Sequence, residues 1–411
     1  MAELEVEVEP IKAGFAPDRL EHIDRHFARY VEDGRLAGWL LALSRDGHVV
    51  HLASCGDRDR EAGLPVEVDT LWRIYSMTKP ITAVAAMMLY EEGAFELKDP
   101  LSRFIPSFAD MRVYTAGSAL APVTVPAMEP VRIWHLLTHT AGLTYGFHHA
   151  HPVDAIYRAA GFEWGAPEGV DLAGCCDAWA SMPLLFQPGS EWNYSVASDV
   201  LGRVIEVASG QTLDEFFRAR IFEPLGMPDT AFSVAEPERD RLAALYMPHP
   251  GTRLATRLDS MGDLALRPPT ALSGGGGLVS SAADYQRFTA MLLGEGELDG
   301  VRLLGSRTVR YMARNHLPGG VDLEQFGRPL FAETTFDGVG FGLGFSVVDD
   351  PAKNKVLSTK GEYSWGGAAS TAFWVDPAER ITALFFTQLL PSSTHPIRPQ
   401  FKQLVYQALV D

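Results

Sequence analysis

Three cysteines in 411 residues, Cys55, Cys175 and Cys176, cannot build a disulfide framework, and adjacent cysteines rarely bridge each other without strain. A reducing, cytoplasmic compartment is the expectation. Positive charge is also scarce. The 35 basic side chains stand against 52 acidic ones, a formal charge of −17. Such a surface repels phosphates, which argues against nucleic acid and anionic lipid as partners. No run approaches the roughly 18 to 20 apolar residues of a membrane span. The amino terminus, MAELEVEVEP, lacks the apolar stretch of a secretory signal. There is no internal repeat and no low-complexity linker.

Several chemical signatures are missing as well. The chain has no Gly-x-Ser-x-Gly, so it has no nucleophile elbow of the α/β-hydrolase kind. His135 and His139 are four apart, as are His22 and His26, and His148, His149 and His151 cluster. Neither spaced pair has the His-Glu-x-x-His form and no cysteine pair stands nearby, so no metal is expected. The run SGGGGLVS at 273–280 lacks the lysine of a phosphate loop and the spacing of a dinucleotide fingerprint. It reads as a glycine-rich strand passing close to a helix or a cleft, with Ser281 and Asp284 capping the next helix.

What is present is ordinary for a globular protein: 46% hydrophobic and 21% charged residues. The length suits two domains, or one domain with a large insertion. Leu20, Ile23, Phe27 and Val31 recur at helical spacing near the start. Two strands follow, near Trp39–Leu43 and His48–Ala53, joined by the hairpin signal Asp46-Gly47. From about 95 to 250 the chain is rich in helix starts, prolines and loops, with little strand pattern. ASDVLGRVIEVASG puts Val200, Leu201, Val204, Ile205 and Ala208 on one face, ends at Gly210, and precedes a capping box of Thr212 and Glu215. Strand patterns return in GFGLGFSVV, STAFWVDP and RITALFFTQ, the last two flanking a turn. A final helix carries Phe401, Leu404, Val405 and Leu409. The expected fold is α+β: an antiparallel sheet flanked by helices, formed by residues 1–94 and 251–411, interrupted by a mostly helical domain at 95–250.

One stretch carries chemistry. In RIYSMTKPIT, at 73–82, Ser76 precedes Lys79 by three residues, and an almost unbroken apolar run follows. That run reads as a helix buried on all sides, with Gly93 and the Pro100 region ending it. Residues three apart share a helical face, so the Ser76 hydroxyl and the Lys79 amine lie close enough to share a proton. A serine hydroxyl is a weak nucleophile until a base takes its proton, and a lysine can serve when burial penalises its charged form. Pro80 has no N–H for the Ser76 carbonyl, so the helix begins at Ser76 and hardly before it. Ser76 then sits at the positive end of the helix, where an oxyanion is stabilised.

A Ser-x-x-Lys pair alone says little, since four-residue matches arise by chance. Here RIWHLLTHTAGL at 132–143, QPGSEWNYSVASDVLG at 187–202 and EYSWGGAAS at 362–370 follow in that order, with PLGMPDTAF at 224–232 and SGGGGLVSSAADYQRF at 273–288. Together they resemble the serine hydrolases that share a fold with the class C β-lactamases and penicillin-binding proteins, and among these the family VIII carboxylesterases. The resemblance runs from the first helix to the last. It implies Ser76 as the acylated nucleophile, Lys79 as its partner and Tyr194 as the second member of the proton relay. It also implies an oxyanion hole of the backbone N–H groups of Ser76 and Ala368. Trp365, Gly366 and Gly367 would line the cleft on an edge strand, the glycines letting a substrate come close to the backbone. No cofactor is implied, and His135 and His139 take structural roles.

The departures from the penicillin-recognising pattern point to the substrate. Those enzymes usually carry Lys-Thr-Gly where this chain has Trp365-Gly366-Gly367, and Tyr-x-Asn where it has Tyr194-Ser195-Val196. A flatter, apolar, uncharged cleft suits a neutral small-molecule ester, and the resemblance implies short acyl chains. Cephalosporin or peptide chemistry of the β-lactamase and DD-peptidase kind, acyl transfer to a second alcohol, and ligand binding without turnover remain alternatives at the same site. The aromatic, acidic loop at 160–179 is expected to overhang the cleft. Oligomeric state is not fixed by the sequence.

Overall fold

The computed structural model describes residues 4–328 and 336–410. Residues 1–3, the first part of the amino terminus read above as no secretory signal, lie outside the described residues. The central feature is an eight-stranded sheet built from both ends of the chain. Its strands are β1 (Gly38–Arg45), β2 (His48–Asp59), β3 (Leu64–Pro65), β4 (Val339–Phe341), β5 (Ser346–Val348), β6 (Tyr363–Gly366), β7 (Ala372–Asp376) and β8 (Ile381–Phe386). Their order across the sheet is β4-β5-β6-β7-β8-β1-β2-β3, with every pairing antiparallel. The Asp46-Gly47 turn joins β1 to β2, both residues at positive φ, as the tight hairpin requires.

The period-two pattern sorts the strands' side chains onto two faces. Leu40, Ala42, Phe373, Val375, Leu384 and Phe386 join one apolar cluster. Trp39, Leu41, Leu43, Trp374, Ala383 and Phe385 join the other. The second face is covered by α1 (Pro17–Glu32) and by the last helix, Ile397–Tyr406. Phe27 lies 4.7 Å from Phe385 and Phe401 lies 4.9 Å from Trp374, ring centre to ring centre. On α1, Leu20, Ile23 and Phe27 are buried as expected, with Tyr30 as the fourth buried residue and Val31 only partly covered.

The first face carries the helix of the Ser-x-x-Lys stretch, α2 (Thr78–Glu91), buried without a break from Thr78 to Leu89. Against it packs α3 (Ala197–Ser209), whose Val200, Leu201, Val204 and Ile205 are buried and which stops at the left-handed Gly210. The capping box after it is formed, with Thr212 N–H donating to Glu215 at 3.2 Å. Next comes α4 (Ala282–Leu293), capped where Asp284 N–H donates to Ser281 Oγ, as the sequence led us to expect. The last helix, Ile397–Tyr406, is α5.

Two local readings are corrected. The α-helix proper begins at Thr78, not Ser76: Tyr75–Met77 form a single tight 3-10 turn before it, and Thr78 N–H turns back to the Tyr75 carbonyl. The expected scarcity of strand between 95 and 250 is broken by a hairpin, Arg112–Gly117 with Pro122–Pro126. Its second strand is mostly exposed, so it lacks the alternation that marks a half-buried strand. Among the described residues no helix is long and apolar enough to cross a membrane.

Candidate active site

Ser76 stands between a short strand, Leu71–Arg73, and the first turn of α2. Tyr75, just before it, has φ +42°, a sparsely populated conformation for a residue with a side chain. The strand's pairing with Val279–Ser281 and the buried body of α2 hold this bend from both sides.

Lys79 is 2% exposed and points its amine into the site. Its Nζ donates to Ser76 Oγ at 3.2 Å, to the Gly275 carbonyl at 2.6 Å and to the Tyr145 hydroxyl at 3.1 Å. The same nitrogen lies 4.5 Å from the centre of the Tyr194 ring, over its face. The three residues brought forward by the sequence are thus together, and a fourth, Tyr145, joins them. Sequence reasoning missed Tyr145, although it follows the 132–143 motif by two residues. Its phenol is pushed well above its ordinary pKa, by burial first and then by the charges of Asp199 and Tyr194, which keeps it protonated.

Tyr194 is turned toward β6. Its hydroxyl accepts a hydrogen bond from Trp365 Nε1 at 3.3 Å, and its ring packs against His139, Tyr145 and Trp365. His139 backs it with its Nδ1 3.1 Å from Ser195 Oγ, and burial holds that imidazole neutral, well below its usual pKa. His135 Nδ1 accepts from Arg132 N–H at 3.0 Å, and burial lowers its pKa to about 3. Both histidines therefore spend a ring nitrogen on protein partners, as expected of structural residues.

The glycine run at 274–277 is held against α3. A Cβ on Gly274 would lie 2.7 Å from the Ser198 carbonyl. A Cβ on Gly275 would collide with the Asp199 carboxylate. That carboxylate accepts from Gly275 N–H at 3.0 Å and Ser273 Oγ at 2.5 Å, so it fixes the carbonyl that anchors Lys79. Burial raises the pKa of Asp199, while the nearby Lys79 charge opposes the shift. Asp199 is the second residue that the sequence did not single out.

β6 is an internal strand, third from the edge, and not the edge strand expected. Its pairing with β5 covers only Tyr363 and Ser364, so Trp365 and Gly366 run on past it. The glycines also have a reason within the protein. A Cβ on Gly366 would lie 2.3 Å from the Arg398 guanidinium carbon, and one on Gly367 would lie 2.5 Å from the Ile74 carbonyl. The close approach is to the protein's own atoms. It brings the turn at 367–371 against the Ile74–Ser76 backbone. That turn is closed by Gly367 N–H to the Thr371 carbonyl at 3.0 Å.

Ser76, Tyr145, Tyr194, Trp365 and Ala368 all line one cavity of about 600 Å³. Residues of the 160–179 segment line it too, as expected, although Leu172–Ala180 is a helix capped by Asp171 and only the first part is loop. From that loop Trp164 stacks on Phe147 at 5.1 Å, and Phe147 stacks on Tyr145 at 4.6 Å. An aromatic shelf thus leads from solvent to the Lys79 amine.

This arrangement has known relatives. A family model described as Beta-lactamase matches residues 23–407. Protein Rv1367c of Mycobacterium tuberculosis is 38% identical over 362 residues, 87% of each chain. Esterase EstB of Burkholderia gladioli is 33% identical over 384 residues, 89% of each chain. Among solved structures, EstCE1, a hydrolase with promiscuous acyltransferase activity, superposes with a TM-score of 0.78 at 27% identity, covering 95% of this chain and 98% of its own. The chain therefore belongs to the beta-lactamase family, within the serine-hydrolase superfamily of class C β-lactamases and penicillin-binding proteins, and it is an enzyme of the serine-hydrolase type.

Proposed function

We propose that the protein is a carboxylesterase that cleaves esters of short acyl chains through an acyl-enzyme on Ser76. The observation that carries this reading is the buried Lys79 amine, 3.2 Å from the Oγ of Ser76, which itself lines a cavity walled by Trp365. Ser76 Oγ attacks the ester carbonyl and passes its proton to the Lys79–Tyr194 pair. The oxyanion is received by the backbone N–H groups of Ser76 and Ala368. The relay returns the proton to the departing alcohol, and water then enters, is deprotonated by the same relay and releases the acid. Tyr194 is assigned the base role on the resemblance, with the Lys79 amine 4.5 Å from its ring centre, while the Tyr145 hydroxyl is occupied as an acceptor from that amine. Trp365, Gly366 and Gly367 form the wall beside the scissile bond.

Trp365 supports ester over β-lactam, because it presents an apolar ring and gives its one N–H to Tyr194. The cavity exceeds the needs of a short acyl chain, so the alcohol portion of the substrate is the bulky one, laid along Phe147 and Trp164. Esterase EstB is an esterase by name, which agrees. Acyl transfer is the second reading. The aromatic shelf favours an apolar alcohol over water at the acyl-enzyme, and EstCE1 combines both activities.

The test compares wild type and Ser76→Ala on a p-nitrophenyl ester of a short acid and on a chromogenic cephalosporin. Ester turnover well above cephalosporin turnover, both abolished in the variant, is the expected result. Dominant cephalosporin cleavage would overturn the argument from Trp365. Adding an apolar alcohol and measuring transesterified product separates hydrolysis from transfer.

A further inference from the structure

We propose that Arg398 is a positioning residue that polarises the Gly367–Ala368 peptide and so strengthens the Ala368 N–H as an oxyanion donor. The inference rests on the reading of that N–H given above. Arg398 lies in the first turn of α5, and its Nη2 donates to the Gly367 carbonyl at 2.8 Å and to the Thr371 carbonyl at 3.1 Å. The carbonyl of Gly367 and the N–H of Ala368 belong to one planar peptide unit. A cation bonded to the oxygen draws electron density from the nitrogen, so the N–H at the other end becomes a stronger donor. Hydrogen bonds in a chain reinforce one another in this way, most where water is excluded.

Three further observations fit a built device. Gly366 has no Cβ because the guanidinium occupies its place, 2.3 Å from where a Cβ would stand. The two carbonyls that Arg398 bonds are the two ends of the turn that carries Ala368, so the same clamp fixes the direction of that N–H. On the far side the turn is pinned where Leu389 N–H donates to the Ala369 carbonyl and Ser370 Oγ donates to the Leu389 carbonyl.

The developing oxyanion needs this help more than the ground-state carbonyl does, so the effect falls on turnover. The test measures kcat, KM and the affinity of a boronic acid, which forms an anionic tetrahedral adduct on Ser76, for wild type, Arg398→Met, Arg398→Lys and Gly366→Ala. Arg398→Met is expected to lower kcat by roughly 10-fold, less than the roughly 10²–10³ of losing a donor outright, with KM little changed and boronate affinity falling in parallel. Arg398→Lys keeps the charge without the fork and recovers part of the loss. Gly366→Ala displaces the guanidinium while Arg398 remains, and is expected to copy the Arg398→Met pattern. If kcat falls while boronate affinity holds, or if Lys rescues nothing in a folded variant, the proposal is overturned. Ala368→Pro, which deletes the N–H itself, separates the two layers. Retained turnover in that variant defeats the oxyanion-hole reading, whereas a dead Ala368→Pro beside an unaffected Arg398→Met defeats the Arg398 proposal alone.

Discussion

Two tyrosines flank one lysine, and replacing each by phenylalanine separates their work. Tyr145→Phe removes the hydroxyl that accepts from Lys79 Nζ at 3.1 Å but leaves that amine with Ser76 Oγ and the Gly275 carbonyl. A hydrogen bond to a charged group contributes about 1.5–3 kcal/mol, so the loss in kcat/KM is about 10- to 100-fold if the contact is made in full at the transition state. Tyr194→Phe removes the proposed base itself, for which the loss is about 10²–10⁴-fold, and it also strands Trp365 Nε1 without its acceptor. The assay is steady-state hydrolysis of a p-nitrophenyl ester across pH, with thermal melting to confirm that both variants fold. Tyr194→Phe is expected to be the more damaged by at least a further factor of about 10. If Tyr145→Phe loses more than Tyr194→Phe, the assignment of the base is wrong, and the raised pKa of Tyr145 does not keep it out of proton transfer.

Further predictions concern specificity, packing and pH. Trp164→Ala is expected to lower kcat/KM for esters of bulky aromatic alcohols several-fold while leaving ethyl esters nearly unchanged, because Trp164 touches only the outer end of the shelf. A uniform loss across alcohols would remove Trp164 from substrate recognition. Gly367→Ala would press a methyl group to within 2.5 Å of the Ile74 carbonyl, so the turn must move. Overpacking of this kind costs about 1–3 kcal/mol, and turnover is expected to fall further than stability does. Asp284 is buried beside Thr230 and Asp229, and burial raises its pKa from 3.8 to about 7. The folded state then holds a proton that the unfolded state gives up between pH 4 and 7, so stability falls as pH rises through that window. At 1.36 kcal/mol per unit the ceiling is about 4 kcal/mol. Asp284→Asn is therefore expected to gain on wild type in melting temperature between pH 5 and pH 8. An unchanged difference at the two pH values would refute the shift.

The parts of this fold that were legible in the sequence are those set by local periodicity. Leu40 and Ala42 against Trp39, Leu41 and Leu43 announce a strand buried on both faces by their position alone. The unbroken burial of α2 follows from its lack of a polar face. The Ser76–Lys79 contact was legible because three residues of helix or 3-10 turn bring the two side chains together. Tyr145 was not, because 66 residues separate it from Lys79 and no spacing rule reaches so far. The hairpin at 112–126 was missed for the opposite reason. Val123 and Val125 are both exposed there, so no core imposes an alternation on the sequence.

The glycines teach the more general point about this site. WGG reads in the sequence as an opening made for a substrate, and SGGGG as a close approach to a helix or a cleft. In each, the space a Cβ would need is taken by the protein: by Arg398 at Gly366, by the Ile74 carbonyl at Gly367, by the Ser198 carbonyl at Gly274 and by Asp199 at Gly275. Two of these contacts set the turn that carries Ala368, and the other two set the carbonyl that holds Lys79. The glycines are therefore conditions for bringing Ser76, Lys79 and the turn of Ala368 together from distant segments. On the ester reading proposed above, selectivity then lies with side chains that line the cavity, Trp365 nearest Tyr194 and Phe147 and Trp164 further out. Exchanging Phe147 and Trp164 should alter which alcohols are accepted while the rate of acylation by a small activated ester stays within a few-fold of wild type, whereas filling any of the four glycines should lower that rate for every ester alike.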